Sequence, residues 1–257
     1  MIRRPPRSTQ SRSSAASDVY KRQGIGRATA KLLAQCGAFV GIHYNSSKTA
    51  AEETLEVIKK QGGNGIILKA DISSEKEVSS LVDDFVNITG SINILINNAG
   101  SPIERTLIEN CSLSLWEKVI ATNLTGTFLV TRKAIPYLRK NGGVIINNLS
   151  LSIQTGGANG AGPYAVAKGG IHVLTRTLAR ELAPTIRVNA VMPGVIETRH
   201  HEMFSTPERM EQYRKETPLK RNGTAEEVAY VMAFLVSDYA SFLTGALVDI
   251  NGGRFLR

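Results

Sequence analysis

A rhythm restricts this 257-residue chain more than any single residue does: from Gly24 onward, short apolar runs alternate with amphipathic stretches. The apolar runs cover residues 38–44, 65–70, 92–96, 144–147, 186–191 and 246–250, and most end at Gly, Pro, Asn or Asp. Helix signals fill the intervals. Gly24-Ile25-Gly26 opens a pattern in which Ile25, Thr29, Leu32 and Cys36 share a face, closed by Gly37. Ser46-Ser47 precedes a helix to about Gln61. Ser74-Glu75-Lys76-Glu77 and Ser114-Leu115-Trp116-Glu117 read as capping boxes, the first opening a helix to about Ile88 and the second one that runs beyond Asn123. Two more helices are expected, from about Tyr164 to Leu182 and over residues 225–235. Strands and helices alternating at this spacing predict an α/β fold with a parallel sheet covered on both faces. Ligands in such sheets sit beyond the carboxyl ends of the strands, where the strand order reverses.

Composition narrows the function classes. With 42% hydrophobic residues the chain can bury a full core. No apolar run approaches the roughly 18 residues that span a bilayer, and the N-terminus lacks an apolar signal core, so a cytoplasmic protein with no membrane partner is expected. Cys36 and Cys111 make no disulfide framework; Cys36 reads as a small buried residue on a helix and Cys111 as a loop thiol. The four histidines show no metal-ligand spacing, and His200-His201 reads as a solvated loop pair. The net charge of +9 suggests nucleic acid at first sight, but residues 1–23 carry +5 of it. No basic stripe interleaved with aromatics follows, so no nucleic-acid partner is expected.

The chemistry is carried by polar residues at element ends. Tyr164 and Lys168 stand four apart and share a helix face. An ammonium there is expected to lower the tyrosine pKa and so to suit it to proton transfer with a substrate oxygen. Ser150, at the end of an apolar run, is placed to hydrogen-bond that oxygen, with Ser152 its rival. Gly24-Ile25-Gly26 lets backbone N–H groups approach a pyrophosphate at a helix start, or serves only close packing. Asn97-Asn98-Ala99-Gly100 lines an adenosine site or is a turn. Asn123 is a functional polar residue or a satisfied buried amide. Pro193-Gly194 with Thr198 clasps a carboxamide or marks a bend.

Taken in this order, these segments over residues 24–257 resemble the short-chain dehydrogenase/reductase family. The closing stretch, from Pro218-Leu219-Lys220-Arg221 through Thr244-Gly245 to Asp249-Ile250-Asn251-Gly252-Gly253, is similar to members near the 3-oxoacyl-(acyl-carrier-protein) reductases. The resemblance implies a single Rossmann-type doubly wound domain of about seven strands, with a lid near residues 196–223. It implies an NAD(P)-dependent oxidoreductase that interconverts a carbonyl and a secondary alcohol, with a 3-oxoacyl thioester as the leading small-molecule substrate. Asn123, Ser150, Tyr164 and Lys168 would form the catalytic tetrad. Tyr164 would protonate the oxygen, Ser150 polarise it, Lys168 hold the nicotinamide ribose, and Asn123 position a relaying water. Gly24, Ile25, Gly26, Tyr44, Asn45, Ser46, Asp71, Ile72, Asn98, Ala99, Gly100, Pro193, Gly194, Ile196 and Thr198 would line the cofactor site together with Tyr164 and Lys168. The end of the second strand, His43-Tyr44-Asn45-Ser46-Ser47-Lys48, carries no acid to bind an adenosine ribose, which favours NADP, with NAD as the alternative. Family members form dimers or tetramers, and a homotetramer is expected.

Residues 1–23 break the pattern. The family opens with a strand and Thr-Gly-x-x-x-Gly-x-Gly, but Val19 and Tyr20 stand at the threonine and first-glycine places. The strand would be 14–18, which buries Asp18 in a central parallel strand. The segment is read as foreign sequence joined near Gly24, ahead of a divergent native tail or an organellar presequence. The competing functional reading is therefore an inactive or non-enzymatic dinucleotide-binding protein.

Overall fold

The computed structural model describes residues 24–198 and 205–256. The expectations for the segment 1–23, for a strand over 14–18 and for His200-His201 lie outside them. In chain order the elements are α1 (Ile25–Gln35), β1 (Phe39–Tyr44), α2 (Lys48–Lys60), β2 (Asn64–Lys69), α3 (Glu75–Thr89), β3 (Ile94–Asn97), α4 (Leu113–Ile120), α5 (Gly126–Asn141), β4 (Gly143–Asn148), α6 (Ser152–Thr155), α7 (Gly162–Leu182), β5 (Ile186–Pro193), α8 (Pro207–Glu216), α9 (Ala225–Val236) and β6 (Leu247–Ile250). Every strand pairing among the described residues is parallel: β1 with β2, and a second sheet in the order β3-β4-β5-β6. The α/β, Rossmann-type architecture in one domain is the one the alternation predicts.

Strand geometry explains the layers. Side chains alternate across a strand. Val144 and Ile146 of β4 and Val191 of β5 meet Val228, Met232 and Leu235 of α9, whereas Ile145 and Val188 meet Leu138 of α5 and Leu178 and Leu182 of α7. Ile145 and Ile146 have no exposed surface, and each contributes about 1.5–3 kcal/mol of burial. One polar line crosses this core. The Asn97 amide donates to Thr131 Oγ1 at 2.9 Å and to Asn147 Oδ1 at 2.8 Å, and the Asn147 amide donates to Thr175 Oγ1 at 2.9 Å. Each buried amide thus has partners, which removes the penalty of burying it.

Several local expectations change. In α1 the buried residues are Ala28, Thr29, Leu33 and Ala34, while Ile25 and Leu32 pack partly, against Ala28, Ala225 and Ala229. Cys36 is exposed, because it caps the end of that helix rather than lying on its inner face. Ser47 begins α2 without a side-chain capping bond. Ser74 does cap α3, but Glu77 turns away from it and accepts from the Asp71 N–H at 2.8 Å. Ser112, not Ser114, caps α4, accepting from the Leu115 N–H at 3.2 Å. The helix beyond it loosens into a π-helical turn over Ala121–Thr125, a feature that recurs at functional sites. The polar segment 196–223 holds the helix α8, capped by the Thr206 hydroxyl. Its ends are tied together: Glu197 N donates to Gly223 O and Gly223 N to Val195 O, both at 2.9 Å.

Candidate active site

The site grows from the carboxyl end of β4. Leu149 N donates to Val191 O and Leu151 N to Pro193 O, both at 2.9 Å, so the ladder bonds on either side hold Ser150 in place. The Ser150 Oγ accepts from the Ser152 N–H at 3.1 Å, and its hydroxyl lies close enough to the Tyr164 phenol to favour the ionised form. Ser152, the rival serine, has a buried hydroxyl without a partner among the described residues. Tyr164 stands in the first turn of α7, with Lys168 one turn on. The Lys168 Nζ lies 5.6 Å from the Tyr164 ring centroid and donates to Asn148 O at 2.7 Å.

Electrostatics here run against the expectation for the tyrosine. Lys168 is 2% exposed, and burial pushes its pKa down to about 8. Burial of the phenol pushes the Tyr164 pKa up to about 12, against smaller lowering contributions from the Ser150 hydroxyl and the Arg105 charge. The ammonium reaches under the ring to a backbone carbonyl, so desolvation outweighs it. Tyr164 therefore keeps its proton at neutral pH.

Asn123 sits in the π-helical turn with no exposed surface. Its Oδ1 accepts from Ser101 N at 3.0 Å, and its amide donates to Ser101 O at 2.8 Å and Val119 O at 2.9 Å. The side chain is thus a satisfied buried amide that clamps the loop after β3. Gly100 lies beneath that clamp: a Cβ there would stand 2.6 Å from Asn123 Oδ1 and 3.1 Å from Lys168 Nζ, so only glycine lets the loop come this close.

A cleft of about 490 Å³ gathers Ser150, Tyr164, Lys168, Gly24, Ile25, Asn98, Gly100, Pro193, Gly194, Ile196 and Thr198. A second opening runs along the whole length of β1 and β3, and among the described residues its lining includes Gly24, Ile25, Gly26, Tyr44, Asn45, Ser46, Ile72, Asn98 and Ala99. Asn123 and Asp71 line neither. Asp71 instead closes its own turn, accepting from Ser73 N at 2.9 Å and Ser73 Oγ at 2.7 Å, bonds that hold its carboxyl below the usual range.

The residues suit a dinucleotide. The N-terminus of α1 has no acid in its first turn, so its dipole favours an anion there. A Cβ on Gly26 would stand 2.6 Å from Asn98 Nδ2, and Asn98 Oδ1 accepts from the Asn148 amide at 2.8 Å. That contact binds the helix start to the ends of β3 and β4. Reasoning from sequence missed Arg105, Arg209, Tyr213 and Arg254, which line the same cleft. Thr206-Pro207-Glu208 is a helix-start signature that would have located α8; Arg254 carries no such signal.

A family model described as Enoyl-(Acyl carrier protein) reductase matches residues 19–254. The chain is 38% identical over 234 residues to the 3-oxoacyl-(acyl-carrier-protein) reductase FabG of Aquifex aeolicus, covering 91% of this chain and 94% of the relative. It is 36% identical to Glucose 1-dehydrogenase 2 of Bacillus subtilis, covering 91% and 92%. A solved NADH-dependent reductase, A1-R', responsible for alginate metabolism, superposes with a TM-score of 0.82 at 31% identity, covering 91% of this chain and 94% of that one. Members of such a family act on small molecules and bind NAD(P). Among the described residues no helix is long and apolar enough to cross a membrane. Motifs, parallel sheets and relatives agree, and the chain belongs to the short-chain dehydrogenase/reductase family as an oxidoreductase resembling the 3-oxoacyl-(acyl-carrier-protein) reductases.

Proposed function

We propose that this chain is an NADP-preferring reductase that interconverts a carbonyl and a secondary alcohol, with 3-oxoacyl thioesters as the leading substrate class. One observation carries the reading: the Ser150 and Tyr164 hydroxyls meet beside the buried Lys168 ammonium, in a cleft walled by the start of α1. NADPH, when bound, supplies the hydride. Ser150 donates a hydrogen bond to the substrate oxygen and polarises the carbonyl. Tyr164, protonated at neutral pH, gives that oxygen its proton as charge develops. Lys168, with a pKa near 8, changes charge close to working pH and restores the phenol proton, while its position suits a ribose hydroxyl. Asn123 acts as a positioning residue, holding Ser101 and Gly100 against Lys168; its main-chain carbonyl, beside the Thr127 hydroxyl at 2.7 Å, keeps a lone pair for a relaying water.

The preference for NADP rests on Tyr44, Asn45 and Ser46 in the wall of the second opening, where no carboxylate among the described residues repels a 2′-phosphate. Residues 24–257 are the catalytic unit in this reading, the site of action is the cytoplasm, and the assembly is a homotetramer, which light scattering would check. The deciding assay follows oxidation of NADPH and of NADH by the purified protein against 3-oxoacyl thioesters, an aldose and a steroid-like ketone. Faster turnover of a 3-oxoacyl thioester with NADPH is expected. Equal rates with NADH remove the cofactor preference, and no turnover of any carbonyl removes the enzymatic reading.

A further inference from the structure

The roof of the catalytic cleft is cationic. The helix α8 contributes Arg209, Tyr213 and Glu216, and Arg254 arrives from beyond β6. Tyr213 organises both arginines. Their guanidinium carbons lie 5.3 Å (Arg209) and 4.5 Å (Arg254) from its ring centroid. Arg209 Nε donates to Tyr213 Oη at 2.5 Å, and Arg254 Nη1 donates to Tyr213 O at 3.2 Å. Glu216 pairs with Arg254 at 2.5 Å and is the one carboxylate among the described residues of this cleft wall, against Arg105, Arg209, Arg254 and Lys168.

Cation–π contact with one ring explains how the two guanidiniums are held. It does not neutralise them. With Nε committed to the tyrosine, the two terminal nitrogens of the half-buried Arg209 have no partner among the described residues. A planar fork with both prongs available, gripped at its root and half-buried in the cleft wall, is suited to bidentate recognition of a carboxylate or phosphate. The like charges also favour an incoming anion, with a single acid among the described residues of the cleft wall.

We propose that Arg209, braced by Tyr213 and supported by Arg254, is a specificity-determining residue that binds an anionic group on the substrate, so that the preferred ketone carries a carboxylate or phosphate apart from the reacting carbonyl. The inference rests on the reductase reading and deepens it. Both anion sources share the same chemistry and are separated by experiment.

The test has two arms. Turnover with NADPH is compared for matched pairs, a 3-oxo carboxylic acid against its methyl ester and a phosphorylated ketone against its alcohol, in wild type, Arg209→Met and Arg209→Lys. Wild type is expected to favour the anionic member through a lower KM. Arg209→Met reduces that preference about 10- to 100-fold, the range of a charge-assisted hydrogen bond, and Arg209→Lys restores only part of it. Calorimetric titration of the same proteins with malonate and with inorganic phosphate gives a readout independent of turnover. Binding to wild type that Arg209→Met loses supports the anion site even where no ketone is reduced, in which case the reductase reading alone falls. Selectivity for the acid or for the phosphate identifies the source. Equal kcat/KM for anion and neutral partner, an anion-to-neutral ratio unchanged by Arg209→Met, or wild-type titrations as blank as those of Arg209→Met would each overturn the proposal.

Discussion

Replacing Lys168 by Met separates what this lysine costs the fold from what it does. Its pKa falls from 10.5 in the unfolded chain to about 8 in the folded one, and the cause is burial. Below pH 8 both states hold the proton and the penalty is complete. Between pH 8 and 10.5 the unfolded state holds it and the folded state has released it, so stability rises with pH across that window. The full penalty is about 3 kcal/mol, of which about 2 kcal/mol disappears between pH 7 and 9.5. Tyr164 does not confuse the comparison: with a folded pKa near 12 it affects stability only as the unfolded phenol ionises, around pH 10 and above. The Met variant has no titration at this position, and subtracting its curve removes contributions common to both proteins. Urea unfolding of wild type and Lys168→Met at half-unit steps from pH 7 to 9.5 should show wild type gaining about 2 kcal/mol relative to the variant. A flat difference would mean that burial does not penalise the ammonium. A falling one would mean that an anion holds it charged, and either result refutes the reasoning.

Tyr164→Phe keeps the ring and removes the proton donor, so kcat should fall about 10²- to 10⁴-fold with NADPH affinity nearly unchanged; turnover surviving at wild-type rates rejects the acid assignment. Asn123→Ala deletes three buried hydrogen bonds and should cost roughly 2–4 kcal/mol, read by urea denaturation; a loss below about 0.5 kcal/mol would contradict the clamp. Gly26→Ala forces a methyl to within 2.6 Å of the Asn98 amide, with an expected cost of about 1–3 kcal/mol and weaker NADPH binding by fluorescence titration. A variant that binds and unfolds like wild type would show that the α1 start has room to spare.

Some of this protein was legible in one dimension because local periodicity carries it. Alternation across β4 sends Ile145 to one helical layer and Val144 and Ile146 to the other, and the order of runs implied parallel strands before any pairing was seen. The Tyr164–Lys168 pair was legible because four residues make one helical turn. Ser150 was legible because an apolar run stops beside it. Exact caps were not. Ser112 and Ser114 both satisfy the capping preference, and the choice depends on how the preceding loop enters α4.

What only the tertiary structure decided is whatever depends on groups distant in sequence. The tyrosine pKa is one case: spacing puts an ammonium nearby, but folding sends its Nζ to Asn148 O and packs protein around the phenol, so the shift goes up rather than down. Asp71 is another: its Oδ1 accepts from the N–H and the hydroxyl of Ser73, a turn that the sequence left open as an alternative. The roof of Arg209, Tyr213 and Arg254 joins α8 to the chain end across more than 40 positions, and no periodicity encodes such a meeting. Periodic patterns report the face a residue shows to its nearest neighbours. Solvation and charge inside a cleft are set by every element that closes over it, and those meet only when the chain is folded.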